Sequence, residues 1–200
     1  MLAHLRRSII SIVVFTVFFG FLYAFAGTGV AQLLFRHQAD GSVTANGSTL
    51  IGQNWSATKC PGHPDGSCVF QGRPDALGPY AGVGDNPLVA NGKSGESAAT
   101  NLGPRSKILL ANTQALVAYW HKRGVDPTPD LVTTSGSGLD PDIAPQDAIV
   151  QIPMVSGATG ISPSALRSLI ARETHGAQLG FLGSSYINVL ELNVALSHLR

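Results

Sequence analysis

The stretch with the most potential chemistry is Ser135-Gly136-Ser137-Gly138-Leu139-Asp140, which gathers two hydroxyls, two glycines and a carboxylate. A nucleophile elbow needs Gly-x-Ser-x-Gly on a strand-to-helix turn, whereas here the glycines flank Ser137 directly. A phosphate loop ends in Gly-Lys-Ser/Thr, which supplies a lysine and a magnesium ligand; this stretch has no such ending. Asp140 and Asp142 make a carboxylate pair, but a calcium loop needs more oxygen ligands in step, and Pro141 and Pro145 interrupt the register. The favoured reading is a rigid turn of small residues, with an anchored hydrolase using Ser135 or Ser137 as the minor alternative. His4, His37, His63, His121, His175 and His198 are scattered without an i, i+4 pair, and no catalytic constellation emerges from them.

Cys60 and Cys68 bracket a Pro/Gly-rich turn. In an oxidising compartment such a pair closes a disulfide. His63 and Asp65 lie between them and would add two metal ligands, although the spacing fits no standard zinc pattern. Two unpaired thiols are the remaining alternative.

The elements that would position these residues are short. Asn46 to Gln53 reads as a turn entering a strand, and Cys68-Val69-Phe70-Gln71 reads as a second strand ended by Gly72-Arg73-Pro74. Residues Gly78 to Gly103 carry many breakers and no periodicity, which predicts loop. A helix is expected from Pro104 to Gly124, with Ile108, Leu109, Leu116, Tyr119 and Trp120 mostly on one face. Leu131-Val132-Thr133-Thr134 is a strand candidate leading into the serine-glycine turn. Pro145 opens a helix that Pro153 should break or kink. Ser162 as N-cap, Pro163 in the first turn and Gly176 as the stop define the next helix. After a turn at Gly180-Phe181-Leu182-Gly183, Asn188 and Glu191 are spaced as a capping box and open a last helix.

Before all of this, Ser8 to Phe35 contains no charged residue. At about 1.5 Å per helical residue it reaches about 42 Å, against a hydrocarbon core of about 30 Å. Arg6 and Arg7 precede the run and Arg36 follows it, so the positive-inside rule keeps the amino end in the cytoplasm and exports the rest. A cleaved leader is the rival reading, since Ala24-Phe25-Ala26 is an A-x-A site; against it, the apolar character resumes at Val30 to Phe35.

The expected organisation is therefore a cytoplasmic segment 1–7, a transmembrane helix 8–35 and one extracytoplasmic domain 36–200. The fold class is α+β, a single amino-terminal span followed by a loop-rich mixed domain. Of thirteen basic residues, Arg6 and Arg7 precede the span, which leaves eleven against twelve acidic ones. Near-cancelling charge argues against nucleic acid or an anionic surface as the partner. Membrane lipid is expected around the span.

Several stretches together resemble the C subunit of the bacterial and archaeal potassium-transporting Kdp complex, a P-type ATPase. They are Gly47-Ser48-Thr49-Leu50-Ile51-Gly52-Gln53, Phe70-Gln71-Gly72-Arg73-Pro74, Asn101-Leu102-Gly103-Pro104, Leu131 to Pro141, and Asn188-Val189-Leu190-Glu191-Leu192-Asn193. The resemblance covers nearly the whole chain, span included, which favours a retained span over a cleaved leader. It implies a non-catalytic subunit in the cell membrane, beside a potassium-conducting subunit and an ATP-hydrolysing P-type subunit; a membrane-anchored extracytoplasmic binding module is the alternative reading. No cofactor is implied on this chain; ATP belongs to the catalytic subunit, and potassium is the transported ion. The family is described as assisting ATP binding, and Gln151 matches the glutamine implicated. Arg73, Asn101, Ser135, Ser137, Asp140, Asn188 and Glu191 are the candidate partner-contact or structural residues. The chain differs from the usual family pattern at Asp75, Asp142, Pro153 and Ser184-Ser185-Tyr186, at Ala98-Ala99-Thr100, which looks inserted, and in the Cys60 to Cys68 segment.

Overall fold

The computed structural model describes residues 2–63, 66–74, 97 and 99–199. Most of the expected loop between Gly78 and Gly103 lies outside them, as does Asp65. The chain divides into two compact units, Met1–Val43 and Thr44–Arg200.

The first unit is dominated by one helix, Leu2–Leu34. It comprises α1 (Leu2–Phe15), a wider π-helical stretch (Thr16–Tyr23) and α2 (Ala24–Leu34). It is long and apolar enough to cross a membrane. Its large side chains point outward, as in Phe15 at 61% and Leu22 at 56% exposure, which suits a lipid surround and not a water-soluble core. The helix starts six residues before Ser8, because Arg6 and Arg7 are good helix formers that need not be apolar to continue it. It stops at Leu34, where Phe35 leaves helical geometry, and a single turn α3 (Arg36–Ala39) follows.

In the second unit, helix α4 (Lys107–His121) is capped by Ser106, whose Oγ accepts from the Leu109 amide at 3.3 Å. Asn112, Leu116 and Trp120 form its buried stripe, spaced four apart, while Ile108 turns to solvent against expectation. The Trp120 indole donates to Leu131 O at 3.0 Å, giving the buried ring its polar partner. Pro145 opens α5 (Pro145–Val150), and α6 (Ile152–Thr159) follows after a break at Gln151, with Pro153 in its first turn. Helix α7 (Pro163–Arg172) has Ser162 as N-cap and buries Leu166, Leu169 and Ile170 as its spacing predicts. It ends at Arg172, before Gly176. Helix α8 (Val189–Ser197) completes the unit.

Strand content is small. Two-residue strands β1 (Val43–Thr44) and β2 (Gly47–Ser48) stand near the start, so the strand expected after Asn46 is shorter than its pattern suggests. Further on, β3 (Asp142–Ile143) pairs antiparallel with β4 (Ile187–Asn188). Both other strand expectations need correction. Leu131 and Val132 lie in a 3-10 turn, Asp130–Val132, whose start at Pro129 favours a turn over an extended run. Cys68 and Val69 still lie in a turn and bend; Phe70 and Gln71 run on extended, but among the described residues no strand lies beside them. The helices close over one core, with Phe70, Leu116, Trp120, Leu131, Leu166, Leu169, Leu192 and Leu196 at or near zero exposure.

Candidate functional site

The extended segment after Cys68 is held by two side-chain amides. The Phe70 amide donates to Asn193 Oδ1 at 2.8 Å, and Asn193 Nδ2 donates back to Phe70 O at 2.9 Å. The Gln71 amide donates to Gln151 Oε1 at 2.7 Å, and Gln151 Nε2 returns a bond to Gln71 O at 3.1 Å. A carboxamide carries a donor and an acceptor spaced much as in a peptide unit, so each side chain imitates one rung of a β-ladder. Gln151 Nε2 also donates to Asp147 O at 3.0 Å, which uses both of its N–H groups. Gln151 is 0% exposed. Its position between α5 and α6 explains why it points inward: the helix breaks there, and the side chain bonds both the incoming turn and the clamped segment. Asn193 carried no assigned role in the sequence. The signal was a polar residue four positions after Val189, on the face of α8 that buries Leu192 and Leu196.

The clamp delivers Arg73, two residues on, to a junction of three segments. The Arg73 guanidinium donates to Thr134 O at 3.3 Å and lies 3.6 Å from Asp130 and 3.8 Å from Asp140. Asp140 Oδ1 meanwhile accepts from the Asp142 amide at 3.1 Å. Gly52 closes the junction: its amide donates to Leu139 O at 2.8 Å, and a Cβ there would stand 2.8 Å from Asp140 O. No larger residue fits without moving backbone. A cavity of about 10 Å³ remains beside Arg73, Asp140, Ser48 and Gln53, room for about one water.

Ser135 and Ser137 belong to the adjoining turn. Ser135 Oγ accepts from the Gly138 amide at 3.0 Å, Ser137 Oγ accepts from the Leu139 amide at 3.2 Å, and the two hydroxyls are 3.2 Å apart. Gly138 adopts a φ of 70°. These are the bonds of a tight turn, and the hydroxyls serve as acceptors for its amides.

Asn188 ties the sheet to the junction. Its Nδ2 donates to Thr49 O and Asp142 Oδ1, both at 2.9 Å, while its Oδ1 caps α8 by accepting from the Glu191 amide at 3.3 Å. Only half of the expected capping box forms, because the Glu191 carboxylate turns to His175 Nε2 at 3.1 Å. Burial raises the Asp142 carboxyl above its ordinary range, against the lowering effect of the Asn188 bond; nearby Asp140 and Glu191 push it further up. Burial likewise raises Asp147, whose bonds from Thr128 and the Ala144 amide act in the opposite direction.

The remaining predicted residues lie apart from this junction. Asn101 is exposed at a φ of 54°, with Nδ2 donating to Ala99 O. Cys60 and Cys68 are joined in a disulfide with a Cα–Cα distance of 5.8 Å. They form a small apolar cluster with Val69, against Trp55 and Ala158. Among the described residues no group of three or more histidine, cysteine or acidic side chains is placed to hold a metal ion. What the arrangement does chemically is to lock one extended segment and one arginine in place.

A sequence model described as KdpC, the c chain of the potassium-transporting ATPase, matches residues 5–198. The potassium-transporting ATPase KdpC subunit of Sorangium cellulosum is 40% identical, covering 100% of both chains. That of Caulobacter vibrioides is 39% identical, over 98% of this chain and 93% of its own. That of Rhodopseudomonas palustris is 38% identical, over 98% and 97%.

Proposed function

Because the chain belongs to the KdpC family of potassium-transporting ATPase subunits, we propose that it is the non-catalytic, membrane-anchored subunit of such a complex. In this reading it assembles with a potassium-conducting subunit and an ATP-hydrolysing P-type subunit, and the assembly imports potassium at the expense of ATP. The observation that carries the reading is how the motif residues are used. Gln151, Asn188, Ser135 and Ser137 all spend their polar groups on holding backbone segments together, which suits a rigid assembly platform.

The helix Leu2–Leu34 anchors the subunit in the cell membrane. Arg6 and Arg7 keep its amino end in the cytoplasm, and residues 36–200 lie outside. The Cys60–Cys68 disulfide supports that side, since such bonds persist in oxidising compartments. The exported unit then rests at the outer mouth of the potassium-conducting subunit, where its near-balanced charge neither traps nor repels the cation. Any effect on ATP binding reaches the catalytic subunit through the assembly.

Purification of the tagged chain in mild detergent tests the proposal. The two partner subunits and potassium-stimulated ATP hydrolysis are expected in the same fraction; a monomer from cells with unimpaired potassium uptake would overturn it.

A further inference from the structure

The segment between α7 and β4 is a compact hairpin. His175 and Tyr186 exchange backbone hydrogen bonds at 2.8 and 3.0 Å, and their rings stack at 5.0 Å between centroids. A second rung joins Gln178 and Leu182 through bonds of 2.9 Å each way. At the tip, Leu179 is 84%, Phe181 75% and Leu182 47% exposed. Leu179 also holds a φ of 53°, a left-handed conformation costly for leucine, while Gly180 and Gly183 take theirs freely. Two closed rungs thus hold large apolar side chains in water, at a strained backbone, where folding gains nothing from them. Such a tip expects a cover.

Three features narrow what covers it. Gly176 to Leu190 contains no charge, and the nearest charged residues, Arg172, Glu173 and Glu191, are not a basic cluster. An anionic lipid surface is gripped through several Lys or Arg side chains, which this tip lacks. Three side chains also fall far short of the roughly 800 Å² and 20–30 residues per partner of a stable free-standing interface, which disfavours a second copy held by this contact alone. A partner already confined to the same membrane complex needs far less, because tethering raises the effective concentration.

We propose that Leu179, Phe181 and Leu182 form a knob that seats in an uncharged apolar pocket on another protein subunit of the same ATPase. The inference rests on the subunit reading above and adds to it the contact point. An aromatic anchor filling a desolvated pocket is the usual form of an interface hot spot.

The test places the photocrosslinker p-benzoyl-phenylalanine at Phe181 in the full chain and irradiates the intact complex in native membranes. The expected product is an adduct with a subunit that co-purifies in the unirradiated complex, identified by mass spectrometry. Adducts with lipid, adducts with a second copy of this chain, or no adduct from an intact complex would each overturn the knob while leaving the subunit reading standing. If the unmodified chain co-purifies with no ATPase subunit, both fail. In parallel, Phe181→Ser with Leu182→Ser should leave the urea unfolding midpoint unchanged, because the side chains are exposed, and lower recovery of the complex about tenfold or more. Unchanged recovery would also overturn the proposal.

Discussion

Replacing Gln151 by alanine separates two roles for one residue. The side chain makes three hydrogen bonds, to Gln71 N, Gln71 O and Asp147 O, from a position 0% exposed. Its loss orphans two backbone groups of Gln71, itself 2% exposed, and leaves a cavity lined by polar atoms. At about 1–3 kcal/mol for each buried group left unpaired, and with partial relaxation, Gln151→Ala should cost about 3–5 kcal/mol. For a domain of this size that lowers Tm by about 6–20 °C. Urea unfolding followed by tryptophan fluorescence measures it directly, because Trp120 is fully buried. Asn193→Ala is the matched control, since it strips the same pair of bonds from Phe70 and should cost about 2–4 kcal/mol. Potassium-stimulated hydrolysis of the assembled complex is then titrated with ATP for both variants. If Gln151 acts by holding the fold, the two variants shift the ATP dependence together, in proportion to lost stability. A raised KM in Gln151→Ala alone, or a stability within about 1 kcal/mol of the parent, would refute the clamp reasoning.

Two other perturbations follow from the same structure. Asp142 has its folded pKa raised above 3.8, chiefly by burial, so the folded state holds the proton more tightly than the unfolded chain. Its contribution is therefore most favourable below 3.8 and is lost as pH rises through the folded pKa. Asp142→Asn keeps an acceptor for Asn188 and removes the charge, so its Tm relative to the parent should climb from about pH 4 to pH 7; a relative Tm that climbs toward acid would refute this. Cys60→Ser with Cys68→Ser opens a short loop, worth about 2–3 kcal/mol by chain entropy. Unfolding with and without reductant should show the parent, and not the variant, losing that amount.

The helices were legible because their signals are local. Ser162 and Pro163 stand together at the start of α7, and Pro145 and Pro153 mark the opening of α5 and the break before α6. The two failed strands share a physical cause. An extended run of apolar residues looks alike whether its backbone bonds go to a neighbouring strand, to a turn or to side chains. For Phe70 and Gln71 the partners lie 123 and 80 residues away, on side chains that no local period announces. Leu131 and Val132 are apolar because they enter the core below Trp120, with no strand neighbour among the described residues.

The candidate site divides along the same line. Its turn at Ser135 to Asp140 was readable because small residues at close spacing have few other uses. Its central arginine was readable only as a motif residue, since Thr134 O, Asp130 and Asp140 reach Arg73 from a segment some sixty residues later. The least legible part was the clamp, and here the chemistry is economical. Two carboxamides do the work of neighbouring strands without presenting an edge, and each grips from a helix or helix break already fixed by the core. An edge strand at that place would expose unpaired amides to any neighbouring chain, a hazard for a domain that must meet its partners in one register. A buried polar group of this kind costs little while its partner is present and about 1–3 kcal/mol when it is not. Gln151 and Asn193 therefore need no ligand to account for their chemical type, and a glutamine that stands out in a motif is expected of the fold itself.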